Sequence, residues 1–186
     1  MFIAQKYRES NIVEYVLYMW HIEELIRSLN FDMALIEQQV VHAFNLNEEA
    51  KQQVRDWYIG LIHQMKQQGI QEKGHLAELN ELVVELTYLH QSLLTLYQDK
   101  KYQQLVGTAQ ANLEELKKKS MGQQQNDIET AMNGLFGVLI LKLKQREVSE
   151  ATQEAMKTVS AMMAHLAKQY HNMKEGKLNL PKVMGN

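Results

Sequence analysis

The sequence predicts an all-α, mostly antiparallel helical bundle of about seven helices, and three observations carry that expectation. No proline lies between Ser10 and Tyr170, the only one being Pro181; an interior proline removes a helix hydrogen bond and clashes with the preceding turn. Apolar residues recur at three- and four-residue spacings in segment after segment, the period of a helix with one buried face. Cysteine is absent, so neither disulfides nor thiolate metal sites stand in for a core. A chain of 186 residues buries roughly 70% of its unfolded surface and needs no such staple.

The first predicted helix runs from Ile12 to Leu29, with Asn11 and Glu14 spaced as a capping box. Asp32 suits the cap of a second, through Phe44, and Asn47-Glu48-Glu49 opens a third that Gly69 closes. Residues 69–74 read as a turn. A fourth helix then extends to about Tyr97 with Leu79, Val83, Leu86, Leu89 and Leu93 inward. Asp99 caps a fifth through Lys119, and the short connection implies an antiparallel hairpin. Residues 120–126 form the best linker candidate. Asn126 and Glu129 offer a second capping box for a sixth helix, about 127–145, which is apolar nearly all round from Leu135 to Leu141 and is therefore expected to be central and buried. Gly134 lies on a narrow track suited to close helix approach. Ser149 caps a seventh helix to about Asn172, and 176–186 reads as a loose tail. The whole, 1–186, reads as one domain, with a possible division into a five-helix unit at 1–119 and a helical hairpin at 127–175.

Charge excludes more than it suggests. With 20 basic and 22 acidic residues, the chain lacks the excess that attracts nucleic acid or membrane surfaces. The longest apolar run falls far short of the roughly 20 residues that cross a bilayer. Residues 1–9 have no apolar region of signal-peptide length, so a cytoplasmic setting is expected. No phosphate-cradling glycine loop, dinucleotide fingerprint or nucleophile elbow is present. The seven histidines are scattered, and Glu-x-x-His occurs once, at Glu72 and His75 across a probable turn, so no metal and no cofactor is expected.

One polar residue stands out. At 100° per residue Glu23 lies within about 40° of Ile12, Val16 and Met19, on the apolar side of its helix. A carboxylate there must be paired, neutralised or open to a cavity. The bland reading pairs it with Arg27 one turn on, at the edge of the core. The sharper one makes it the polar floor of a ligand pocket walled by Tyr15, Met19 and Trp20. No second catalytic partner is evident. Met156, Met162, Met163 and Met173 read as core filling before they read as a binding surface.

Two stretches carry a resemblance: residues 11–27, Asn11-Ile12-Val13-Glu14-Tyr15 through Trp20-His21-Ile22-Glu23-Glu24 to Arg27, and Leu135-Phe136-Gly137-Val138-Leu139 with Lys144, Ser149, Thr152-Gln153-Glu154-Ala155 and Tyr170-His171. Together they resemble an uncharacterised all-helical family of about this length, found mainly in Bacteroidetes bacteria. The likeness covers essentially the whole chain and implies a bacterial, cytoplasmic helical protein. It carries no activity and no functional residue with it. The function expected first is therefore a non-catalytic interaction or scaffold protein, with a possible homodimer. The alternative is a small-ligand binder or an enzyme with a site at Glu23, Arg27, Trp20 and Tyr15.

Overall fold

A computed structural model describes residues 1–43, 46–119 and 125–178. The described residues form eight α-helices: α1 Phe2–Ser10, α2 Ile12–Ser28, α3 Met33–Gln39, α4 Glu48–Gln67, α5 Ala77–Thr95, α6 Lys100–Lys119, α7 Asp127–Leu143 and α8 Glu150–Lys174. They pack as the predicted all-α bundle, and α6 and α8 share the most extensive helix contact.

The caps explain most of the boundaries. Asn47, Asp99 and Ser149 each accept a backbone N–H from the first turn of the helix that follows. Asn126 and Glu129 close the full capping box expected of them. Asn11 makes only half of one. Its side chain accepts from Glu14 N–H at 3.2 Å, but its own N–H goes to Tyr7 O at 2.7 Å. That carbonyl belongs to α1, the helix the sequence pattern did not reveal. Nine residues long and without a side-chain N-cap, α1 gives a weak local signal and owes its place to packing on α2, including a Tyr7–Tyr18 ring contact at 5.8 Å. The predicted second helix breaks after Gln39 into a 3₁₀ turn, Val41–Ala43; its expected end at Phe44 lies outside the described residues. Most of the predicted linker, 120–124, and most of the tail, 179–186, lie outside them too.

Helix α7 is central in that it touches α2, α5, α6 and α8. Its burial is uneven. Ile128, Thr130, Ala131 and Met132 in the first half are inaccessible, whereas Leu135 to Leu141 is half-buried apart from exposed Gly137, and Leu143 is 52% exposed. Gly134 packs as its track suggests: a Cβ there would come within 3.1 Å of Leu116 and 3.3 Å of Met156. Met156, Met162 and Met163 fill the core between helices, with Met173 against its edge. Among the described residues no helix is long and apolar enough to cross a membrane.

Candidate functional site

Glu23 is fully buried, as its place on the apolar side of α2 anticipates. Arg27 is not its partner. The Arg27 guanidinium turns outward to Glu24, 2.7 Å from Nη1, and back over the loop between α4 and α5, where it donates to the carbonyls of Ile70 and Gly74. The loop turns on Gly69 and Gly74, whose φ values of +69° and +94° suit glycine. Arg27 thus clamps the segment that brings His75 over α2.

Both oxygens of Glu23 are engaged by that segment. Oε2 accepts from His75 Nδ1 at 2.6 Å, and Oε1 accepts from the Leu76 backbone N–H at 2.9 Å. Leu76 is the N-cap residue of α5 and has no side chain that can cap; Glu23 satisfies its N–H from 53 residues away, and Gln68 Oε1 accepts from Ala77 N–H at 2.8 Å. A negative group at this helix start also complements the α5 dipole. A buried carboxylate with two short donors is a satisfied group, which is why the fold tolerates it.

A carboxylate only accepts, so the bond to Glu23 puts the hydrogen on His75 Nδ1 and leaves Nε2 as the second functional atom of the ring. Nε2 has no hydrogen-bond partner among the described residues. The Trp20 indole stacks on the imidazole, with centroids 4.2 Å apart and planes at 15°, and meets Phe136 of α7 edge-on at 5.5 Å. Trp20 is 4% exposed, and its Nε1–H has no acceptor among the described residues.

Trp20 and His75 form one wall of a cleft of about 590 Å³. Asn80, Val83 and Val84 of α5 and Glu129 and Asn133 of α7 complete it, with Gln125 at one end. Among the described residues no lysine or arginine lines it. Asn80 Nδ2 donates to the His75 carbonyl at 3.1 Å, and Glu129 Oε2 is held by Asn126 N–H at 3.0 Å, so two walls are tied to the backbone beneath them. The described lining is rich in acceptors and carboxamides, and no hydroxyl or thiol nucleophile occurs among the described residues that line it. No group of three or more metal-ligating side chains occurs among the described residues.

Of the four residues singled out from sequence, Glu23 and Trp20 come together, Arg27 supports them through the loop, and Tyr15 stands apart. Tyr15 is buried beside the Arg8–Glu78 ion pair, with the Arg8 guanidinium 5.5 Å from its ring centre, and does not line the cleft. Burial, and then the Glu78 charge, push its hydroxyl pKa up. The residue missed from sequence is His75. Its signal lay in a combination: a helix start without a capping side chain, just after a glycine turn, and an unexplained inward carboxylate elsewhere. No curated protein and no solved structure matches the chain. Residues 1–177 match the family described as Domain of unknown function (DUF4924), and the chain belongs to that family.

Proposed function

We propose that the chain binds a small, polar ligand in the cleft walled by Trp20 and His75. The observation that carries the reading is a buried carboxylate that orients an imidazole on the wall of a concave space, stacked on an indole whose N–H has no acceptor among the described residues. An unsatisfied buried donor costs about 1–3 kcal/mol, which an acceptor on a bound molecule recovers. The lack of any lining cation argues against phosphates and carboxylates as ligands. His75 Nε2, the carboxamides and Glu129 suit hydroxyl, amide or amine groups, so the ligand class is an uncharged polyol or an amine. The bacterial, cytoplasmic setting implied by the sequence resemblance would supply both. A closed Glu23–Arg27 pair without a cavity would have favoured the bland reading, and that pair is absent.

The chain has two tryptophans, so the indole N–H region of a ¹H–¹⁵N spectrum contains two signals, which Trp57→Phe assigns. Titration with neutral hexoses, polyols and polyamines should move the Trp20 signal, and His75→Gln should abolish that shift. A panel in which only sugar phosphates move it, or in which nothing does, sinks the reading. A protein-interaction role, the other class the sequence raises, is supported by the second half of α7, which the other helices leave half-covered.

A further inference from the structure

We propose that the ligand of the Trp20–His75 cleft is an amino alcohol or amino sugar, its protonated amine held by Glu129 and its hydroxyls serving Trp20 and His75. The proposal rests on the cleft reading and decides between the two ligand classes that reading leaves open. Among the described residues that line the cleft, Glu129 is the single carboxylate. Its Oε2 accepts from Asn126 N–H at 3.0 Å, while Oε1 has no hydrogen bond and the group no ion pair among the described residues. Asp127, in the same first turn of α7, differs: Lys117 Nζ lies 2.6 Å from it. Residues 120–124, which precede Gln125 in the chain, include no charged side chain. A carboxylate that gives one oxygen to a helix cap keeps the other, and its charge, for a cation.

A cleft beside two helix starts would ordinarily favour an anion. Here the N–H groups that would hold one are spent inside the protein. Leu76 N–H goes to Glu23 and Ala77 N–H to Gln68 at the start of α5. Ile128 and Glu129 N–H both go to Asn126 Oδ1 at the start of α7. Glu23, bonded to His75, and Glu129 then give the cleft negative charge, with no cation among its described lining to offset it.

An amine alone would leave part of the lining unserved. The Trp20 Nε1–H is a donor without an acceptor among the described residues, and an ammonium group has no lone pair to offer it. A hydroxyl oxygen has. His75, with Nδ1–H given to Glu23, keeps Nε2 as an acceptor, and a hydroxyl can donate there. Val83 and Val84 supply apolar surface for the carbon skeleton between the polar groups. At about 590 Å³ the cleft is within the roughly 300–1,000 Å³ usual for small-molecule sites.

Titrations of the Trp20 indole N–H signal in the full chain, at neutral pH, test this with compounds paired alike but for the amine: glucosamine against glucose, and ethanolamine against ethylene glycol. The amine of each pair should bind about tenfold or more tightly than its partner, as a charge-assisted hydrogen bond allows. High salt should shrink that advantage. Glu129→Gln keeps an oxygen for the Asn126 N–H, as a capping box permits, and should abolish the advantage. N-acetylglucosamine, the same ring without the charge, should behave as glucose does and needs no variant. Putrescine, which has amines and no hydroxyl, should bind more weakly than glucosamine. Neutral partners that bind as tightly as their amines, an advantage that survives Glu129→Gln, or putrescine that equals glucosamine each overturns the proposal and leaves the cleft reading standing. A signal that no compound of the panel moves sinks both.

Discussion

The molecule sets a carboxylate against a histidine beside an aromatic ring in two places, and uses the arrangement differently in each. At the α5–α6 turn, Asp99 Oδ2 accepts from His165 Nε2 at 2.8 Å and from Gln169 Nε2 at 2.8 Å, while Oδ1 caps α6 through Tyr102 N–H. Tyr102 stacks on His165 at 5.7 Å, and its hydroxyl reaches His90 Nδ1 at 2.9 Å. Side chains fill this cluster: Gln169 occupies the position a ligand would take. At Glu23 the same pairing is tighter, yet the histidine lines a cleft and the N–H of the stacked indole has no acceptor among the described residues. A carboxylate–imidazole pair is therefore closed where a third side chain bonds to it and left open to a cleft where none does.

Removing the carboxylates should separate the two most sharply. Glu23→Ala removes the fully buried carboxylate that accepts from both the Leu76 N–H and His75 Nδ1 and should cost about 3–5 kcal/mol. Asp99→Ala loses a cap and two bonds at a site that water reaches, its side chain being 17% exposed, and should cost about 2 kcal/mol. Urea denaturation of both variants makes the comparison; equal losses would break it.

Acid probes the closed cluster next. Burial holds the His90 imidazole below its ordinary 6.5, against a weaker upward pull from Asp127. Its stabilising contribution is thus complete above about 6.5, because only there is the unfolded chain also neutral, and it is lost as pH falls from that value towards the lowered pKa in the fold. The slope is at most about 1.4 kcal/mol per pH unit for one proton. Burial pushes the Asp99 carboxyl up, but His165, the Tyr102 N–H and Gln169 together bring it below its ordinary value. Its contribution is present above about 3.8 and is lost as pH falls further, through the lowered pKa in the fold. Urea midpoints between pH 7.5 and 5 should decline, and His90→Phe should flatten that decline while lowering stability throughout.

The smallest expected effect concerns the two α7 glycines. Gly137→Ala should raise stability by about 0.5–1 kcal/mol, since its Cβ meets nothing within 4 Å among the described residues. Gly134→Ala must displace Leu116 and Met156 by a few tenths of an ångström and should gain nothing. Thermal unfolding of the pair tells whether only the first half of α7 is packed to its limit.

What the sequence made legible follows the range of the interactions involved. Asn47, Asp99, Asn126 and Ser149 cap the helices that follow them within a few residues, so those starts were readable. The inward placement of Glu23 was readable too, because a helical wheel needs only the neighbours on one helix. Its partner was not. Arg27 lies nearby in sequence and drew the pairing, but the Ile70 and Gly74 carbonyls compete for its guanidinium, and they come from another element. His75 is 52 residues from Glu23, and no local pattern ties the two. Helix α1 escaped for a related reason: a short helix without a cap declares itself only through what it packs on.

The remote cap on α5 has a consequence for the order in which the chain assembles. Most helices here can begin to form from their own sequence, but the Leu76 N–H at the start of α5 lacks an acceptor until α2 has docked and delivered Glu23. Ordering the start of α5 therefore carries a loop-closure cost that its local sequence does not offset. Mutations at this junction should act mainly on the unfolding rate, as expected of contacts made late. An excised α5 peptide should fray from its N-terminus, and in the whole protein the Leu76 amide should exchange with solvent as soon as α2 lifts away.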